Sequence, residues 1–184
     1  RSGAVIPAIG GEEMNLMGAR HPILLERLGT RATVPLDIRI PRGRDCLIIT
    51  GPNAGGKTVA LKTLGLLILM AKSGLAIPAR KDSTVTPVGS VWVEMDTNQD
   101  ITHDLSSFTA HALSLKGIYE HAGPGDLVLL DEPGTGTDHE QGGALAVSCI
   151  HALRNKGATV VVTSHSDLVK LYGITSEGVE NAAT

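Results

Sequence analysis

The stretch that most constrains this chain is a glycine-rich loop, residues 47–58, with the sequence LIITGPNAGGKT. It fits the pattern G-x-x-x-x-G-K-[ST] at every fixed position. Glycines let the backbone turn its N–H groups inward around a row of phosphates, because they carry no Cβ. The pattern requires a strand before the loop and a helix after it, and apolar runs of both kinds flank this loop. The stretch therefore predicts an α/β protein that binds a nucleotide.

Two residues at the end of the loop have distinct predicted roles. Lys57 supplies a flexible cation for the outer phosphates, and Thr58 offers a hydroxyl to Mg²⁺. Thr58 also opens a helix, whose positive end faces the bound anion. The alternative is a glycine-rich turn that ends in Lys-Thr by chance. The flanking strand and helix patterns count against that alternative.

The size and composition of the chain restrict the remaining possibilities. Its 184 residues are enough for one α/β domain and too few for two ordinary ones. A hydrophobic share of 42% and a charged share of 19% are typical of a soluble protein. No apolar run reaches the roughly 18 residues of a membrane span, so no membrane partner is expected. Because the chain starts with Arg1 and shows no signal peptide, we expect a fragment of a longer, cytoplasmic protein.

The cysteine content argues against a cysteine-bound metal site, and the charge and aromatic content argue against a nucleic-acid-binding surface. Cys46 and Cys149 have no metal-like spacing, and buried free thiols in a reducing cytosol are the expected interpretation. The formal net charge is −3, and the chain has only one Phe, two Tyr and one Trp. This composition lacks the basic stripe with stacking aromatics that nucleic-acid binding uses. Contacts to DNA or a ribonucleoprotein, if present, are expected mainly in other domains of the parent protein.

Apolar patterns divide the chain into alternating strands and helices after a loosely structured lead-in over residues 1–19. Residues 20–184 are predicted to form the folded domain. A hairpin turn is expected at 42–45 and a helix N-cap at Asp138, while the tail to Thr184 is uninformative by itself. Helices are predicted at 58–73, 108–121, 140–156 and 166–172, and strands at 34–40, 46–50, 88–95, 127–130 and 158–163. The second half therefore predicts a mostly parallel sheet flanked by helices.

Chemically reactive side chains follow two of the predicted parallel strands, where ligands of open α/β sheets bind. Asp131 and Glu132 follow residues 127–130; we expect Asp131 to hold the Mg²⁺ shell and Glu132 to polarise the attacking water. His165 follows the strand 158–163 and is placed to hydrogen-bond the γ-phosphate. A lone histidine is otherwise a surface or packed residue. Ser106, at the start of a helix, is interpreted first as an N-cap.

Taken together, these motifs resemble the ATPase domain of the MutS family, a branch of the ABC-type ATPases. The resemblance covers about nine tenths of the chain in the right order. It rests on 20–22, 51–58, Gly74 with 78–79, 106–108, 130–132, 134–137 and 163–165. Within the family the chain looks most like the bacterial MutS paralogue that lacks a mismatch-reading domain and carries a C-terminal Smr nuclease domain. Residues 56–59, 136–138 and 179–182 favour that branch.

The resemblance implies a P-loop fold of the ABC-ATPase type, with an antiparallel N-terminal portion, that binds ATP and Mg²⁺. Two such domains would form a homodimer, with each nucleotide between one phosphate loop and the partner's helix. Ser106 would then reach the γ-phosphate in trans, and Gln99 would sense the nucleotide. Glu132, His165 and Lys57 would be catalytic. The expected nucleotide contacts in cis are Gly51, Pro52, Asn53, Ala54, Gly55, Gly56, Lys57, Thr58 and Val59.

Two positions depart from the pattern of that family. Pro133 replaces an aliphatic residue after the two acids, as in ABC transporters. Residues 96–98 differ from the Gly-Asp-Glu expected before Gln99, which weakens the sensing assignment. The spacing between Lys57 and Asp131 has no room for the large helical insert of a transporter ATPase. This spacing argues against a transporter despite Pro133.

Three functions follow as hypotheses. The first is an ATP-hydrolysing dimerisation switch in a DNA-processing protein, concerned with recombination rather than mismatch reading. The second is a P-loop kinase, although no arginine-rich lid follows Asp131. The third is a nucleotide-binding module without turnover. An ABC-type ATPase of another DNA-repair or transport system is a variant of the first.

Overall fold

The computed structural model describes residues 3–11, 13–95 and 107–184. They fold into two compact units that alternate along the chain, a division that the predicted single domain did not anticipate. Unit 1 comprises Arg1–Arg44 and Thr58–Val88, and unit 2 comprises Asp45–Lys57 and Gly89–Thr184. In chain order the elements are β1 (Ala8–Ile9), β2 (Met14–Ala19), α1 (Pro22–Ala32), β3 (Leu36–Ile40), β4 (Cys46–Thr50), α2 (Lys57–Lys72), β5 (Thr84–Val85), β6 (Val91–Glu94), α3 (Ser107–His121), β7 (Leu127–Asp131), α4 (His139–Asn155), β8 (Thr159–Ser164), α5 (Asp167–Thr175) and β9 (Val179–Ala183).

Unit 1 contains a four-stranded sheet in the order β1-β5-β2-β3, in which β2 and β3 are antiparallel. This pairing confirms the antiparallel N-terminal portion. The predicted loosely structured lead-in is wrong for β2, where Met14, Leu16 and Ala19 are buried. The strand was missed because Gly18, with φ of 58°, falls within a register shift between Leu16 and Ala19 and breaks the simple alternation.

Unit 2 contains a five-stranded sheet in the order β6-β7-β8-β4-β9, and every described pair within it is parallel. The sheet is parallel because helices connect its strands: α3 joins β6 to β7, α4 joins β7 to β8, and α5 joins β8 to β9. Buried side chains of these strands and helices form one apolar core, which includes Ile48, Val128, Val160 and Ile150. This is the P-loop type of α/β fold predicted from the sequence.

The predicted hairpin turn is wrong, and the tail holds a strand that its own sequence did not indicate. Residues 42–45 do not form a hairpin turn, because β3 pairs with β2 whereas β4 pairs with β8 and β9. In the tail, β9 adds to the edge of the sheet beside β4, with Cys46 opposite Val179. The pairing of β4 with strands distant in sequence could not be deduced from either local pattern.

The free cysteines lie as expected. Cys46 is buried in the core of unit 2, and burial raises the pKa of its thiol to about 12. Cys149 is half-buried on α4, and burial raises the pKa of this thiol as well. Both thiols are therefore poor nucleophiles at neutral pH. Among the described residues, no helix is long and apolar enough to cross a membrane.

Helix α4 is anchored at its start by a cap and by a close backbone contact. The Asp138 carboxylate accepts hydrogen bonds from the backbone N–H groups of Glu140 and Gln141, which confirms the predicted N-cap. One turn further, Gly142 packs against Gly134, and a Cβ on either residue would overlap the backbone of the other. The loop that follows Glu132 is thus held against α4 by a contact that only two glycines allow.

This contact predicts that alanine substitution will have opposite effects on stability at two helical glycines. Gly142→Ala should destabilise the protein by about 2 kcal/mol, because the new methyl group overlaps backbone. Gly117→Ala on α3 should be neutral or stabilise by up to about 1 kcal/mol, because its Cβ would meet open space and alanine favours helix. Urea unfolding of both variants measures the difference. Equal midpoints for the two variants would show that the contact is not tight.

Candidate functional site

The glycine-rich loop of unit 2 follows the buried strand β4. Residues Asn53–Gly55 form a short 3₁₀ turn, in which the Gly55 N–H donates to Pro52 O at 2.9 Å. Gly56 then adopts a left-handed conformation, with φ of 84° and ψ of 15°. This reversal is available to glycine without a steric penalty, and it directs the chain into α2. The predicted strand–loop–helix order is therefore present.

Lys57 turns back into this loop. Its ammonium group is 3% exposed and donates to Gly51 O at 2.8 Å and to Pro52 O at 3.1 Å. The same nitrogen lies 3.2 Å from Glu132 Oε1. A buried ammonium is stable only where carbonyl or carboxylate oxygens surround it. The positive charge is thereby held between the loop and the Glu132 carboxylate.

The two acids at the end of β7 are fixed from the neighbouring strand. Asp131 lies opposite Thr163 in the sheet, and the Thr163 hydroxyl donates to Asp131 Oδ1 at 2.5 Å. The Glu132 N–H donates to both the hydroxyl and the carbonyl oxygen of Thr163, at 3.0 and 3.1 Å. One threonine side chain therefore sets the position of both acids. Its own side chain is completely buried.

Glu132 has an unusual backbone. Its φ is 50°, and it is the one non-glycine residue with positive φ in the described part of the chain. This left-handed conformation costs about 1–2 kcal/mol for an L-residue. The conformation turns the carboxylate away from the strand direction, so that it lies between Lys57 and His165. Strain of this kind is concentrated at functional sites.

His165 follows β8 and completes a row of three charged or polar groups. Its Nδ1 lies 3.4 Å from Glu132 Oε2, and about half of its side chain is exposed. The ring stacks on the ring of His139 on α4, with centroids 5.8 Å apart and an interplanar angle of 27°. After His165 the chain turns into α5, where the Ser166 N–H donates to Ser164 Oγ. The open edge of the imidazole therefore faces solvent beside the acids.

A cavity of about 190 Å³ adjoins this row within unit 2. Backbone of the loop after Glu132 forms one wall, and α4 and the residues after β8 form the others. It is lined by residues 132–137, 139, 142, 143 and 164–166. Glu132 lines this cavity and its side chain is partly exposed, so water has access to the Glu132 carboxylate from this side.

The remaining predicted residues are not all placed together. Thr58 and Val59 occupy the first turn of α2 in unit 1, where Thr58 is half-buried and Val59 is exposed. Gln99 and Ser106 lie outside the described residues. Within the described ranges, no three His, Cys, Asp or Glu side chains form a metal cluster. Magnesium in nucleotide sites needs none, because phosphates and water supply most of its ligands.

The sequence matches a known protein family over most of its length. Residues 47–183 match MutS domain V. The chain belongs to the MutS family. The parallel sheet, the phosphate loop and the paired acids described above all fall within the matched range.

Individual relatives within this family carry the name Endonuclease MutS2. The protein of Carboxydothermus hydrogenoformans is 49% identical over 165 residues, which is 90% of this chain and 21% of the relative. The protein of Pelotomaculum thermopropionicum is 46% identical over 178 residues, 96% of this chain and 22% of the relative. The Clostridium kluyveri protein is 43% identical over 170 residues. The chain spans about a fifth of the length of these relatives.

Two site residues escaped the sequence analysis. Thr163 was recognised only as the end of a strand, because its role depends on the register with β7. His139 was assigned an exposed or packing role, and its partner, His165, is distant in sequence. The usable signal for Thr163 was a hydroxyl at the end of an otherwise apolar strand. No comparable signal existed for His139.

Thr163 yields a stability prediction. Thr163→Val keeps the shape of the side chain but removes the hydroxyl, leaving the Asp131 carboxylate without this donor. The variant should lose about 1–3 kcal/mol of stability, the cost of a buried polar group that loses its partner. Thr163→Ser, which keeps the hydroxyl, serves as the control and should lose less. Urea unfolding of the two variants provides the comparison, and a valine variant as stable as the serine variant would contradict the assignment.

Proposed function

We propose that this MutS-family chain binds ATP with Mg²⁺ and hydrolyses it. The observation that carries the proposal is the row Lys57–Glu132–His165, with Asp131 fixed beside it, at the carboxyl end of a parallel sheet. A buried cation, two acids of different surroundings and an accessible imidazole are the groups that phosphoryl transfer requires. The matched family supports ATP as the nucleotide.

Each residue has a definite part in this reaction. The loop backbone from Gly51 to Gly56 would cradle the phosphates, and Lys57 would balance their negative charge. Thr58 and Asp131 would hold Mg²⁺, which polarises the phosphoryl oxygens when bound. The exposed part of Glu132 would orient a water molecule from the adjoining cavity and accept its proton.

The contact between Lys57 and Glu132 would change when a nucleotide binds. The Lys57 ammonium lies 3.2 Å from the Glu132 carboxylate, and both lie at the predicted position of the terminal phosphate. A bound phosphate would compete with the carboxylate for the ammonium group. The released carboxylate would then be free to bind water, and His165, 3.4 Å from its second oxygen, would keep it oriented.

We further propose that the site is completed by a second copy of the chain. Ser106, which directly precedes α3 in the sequence, would contact the nucleotide of the partner, and Gln99 would report its presence. Closure of this homodimer on ATP and its reopening after hydrolysis would drive a DNA-processing parent protein. The name of the relatives, Endonuclease MutS2, supports a role in DNA processing. A cytoplasmic location, the Smr-bearing branch, and contacts to DNA or ribonucleoprotein through other domains are parts of the same proposal.

The first test is Glu132→Gln. The variant should retain ATP, lose at least about 100-fold in hydrolysis rate because no base accepts the proton of water, and accumulate as a dimer. Phosphate release and light scattering with and without ATP measure these effects. Glu140→Gln, an exposed acid on α4, is the matched control and should behave like the parent. Hydrolysis by Glu132→Gln at the parent rate would rule out Glu132 as the base.

A second test separates the proposed function from its alternatives. If a second copy completes the site, specific activity should rise with protein concentration, because only dimers turn over ATP. Phosphate release measured across a concentration series with fixed ATP and Mg²⁺ shows this directly. Turnover that needs a small acceptor molecule would instead indicate a kinase. Nucleotide binding without phosphate release at any concentration would indicate a module without turnover.

A further inference from the structure

A second buried charge pair lies in unit 2 away from the Lys57–Glu132–His165 row. Glu94 is the last residue of β6 and is 4% exposed, and His111 lies in the second turn of α3 and is 14% exposed. The distance between His111 Nδ1 and Glu94 Oε1 is 2.6 Å. A carboxylate only accepts hydrogen bonds, so Nδ1 carries the hydrogen and the orientation of the ring is fixed.

Burial makes this pair a strong constraint. A carboxylate removed from water is costly unless a charged or polar group compensates it, and removing one partner leaves the full penalty. The pair therefore holds β6 and α3 together at one point.

The position of Glu94 links the pair to the nucleotide site. In the sheet, Glu94 lies opposite Leu130, the residue directly before Asp131 and Glu132. Glu94 and the two acids therefore lie at the same end of the sheet on adjacent strands. His111 attaches the N-terminal part of α3 to that end.

Fully buried apolar side chains lie in the C-terminal half of this helix. They are Leu115 and Ile118, and the buried Ala122 follows the helix. Of the residues before Leu115 whose side chains the structure describes, none is fully buried. The Glu94–His111 pair therefore contributes a buried polar attachment to the first two turns of α3.

We propose that Glu94 and His111 are positioning residues for catalysis in the partner subunit. By attaching the second turn of α3 to the sheet end, they would aim the N-terminal end of that helix at the nucleotide of the second copy. This inference rests on the shared site proposed above. It adds two residues that act through α3, the helix that each chain would contribute to its partner's site (the donated helix), rather than through the phosphate loop of their own chain.

The first experiment compares ATP binding with ATP hydrolysis. His111→Ala should bind ATP with unchanged affinity, because its own phosphate loop is intact, but should hydrolyse it about tenfold more slowly, as expected for a misplaced contact. His111→Asn, whose amide nitrogen can replace Nδ1, should restore most of the rate. Lys116→Ala on the exposed face of α3 is the control and should match the parent. Equal rates for His111→Ala and the parent would overturn the proposal.

Mixing variants tests whether the residues act across the dimer. In an equal mixture of His111→Ala and Lys57→Ala chains, one site of each mixed dimer combines an intact loop with an intact donated helix. Both variants should be nearly inactive alone, and the mixture should recover about a quarter of the parent rate if pairing is random. Recovery supports action in trans. No recovery means that His111 acts within its own chain or only in folding, and overturns the proposal.

A parallel mixture separates this inference from the proposed function. Ser106→Ala mixed with Lys57→Ala tests the shared site without involving the Glu94–His111 pair. If the Ser106 mixture recovers and the His111 mixture does not, the inference fails while the shared site stands. If neither mixture recovers, the shared site fails and the inference fails with it.

A double variant guards against a simple folding defect. Glu94→Ala combined with His111→Ala removes both partners and leaves no unpaired buried charge, so it should fold more readily than His111→Ala alone. It should show the same loss of hydrolysis and the same recovery with Lys57→Ala. Thermal unfolding identifies which variant is folded. A folded double variant with parent activity would overturn the proposal.

Discussion

The hydrogen-bonded register of three parallel strands is the constraint on which the site depends. Thr163 lies opposite Asp131 on one side and Ile49 on the other, and Ser164 lies opposite Thr50 at the entry to the loop. A strand rises about 3.3 Å per residue, so a register shift of a single residue would displace these groups by about that distance along the strand. It would also turn each side chain to the opposite face of the sheet. The chemistry is therefore set by the same hydrogen bonds that hold the fold.

Local chemistry made the fold and the phosphate loop predictable from sequence. The glycine pattern at 51–58, the apolar run at 127–130 and the cap at Asp138 all depend on nearby residues, and the structure places each element as predicted. The contacts within the site were not predictable, because each joins residues far apart in sequence. The strands at 14–19 and 179–183 were missed for a related reason, since a short strand is defined by its partner more than by its own pattern.

Three carboxylates gather at adjacent ends of β6 and β7, and each is compensated by a different group. Glu94 contacts His111, Asp131 accepts from Thr163, and Glu132 contacts Lys57 and His165. A buried carboxylate is costly unless a polar or charged group compensates it. The three acids also differ in their exposure to solvent. Glu94 and Asp131 are buried, while Glu132 remains partly exposed. Two of the acids are fixed, and the third keeps access to water.

The positive φ of Glu132 has a consequence for how this protein responds to selection. Glycine would adopt a φ of 50° without the steric cost that an L-residue bears, but it would remove the carboxylate that lies beside the buried Lys57 ammonium. Selection for stability therefore weighs backbone strain against the loss of that partner, whereas selection for hydrolysis favours only the acid. Because glycine and alanine both lack the carboxylate, enrichment of glycine over alanine in a pool randomised at position 132 would report the backbone strain alone.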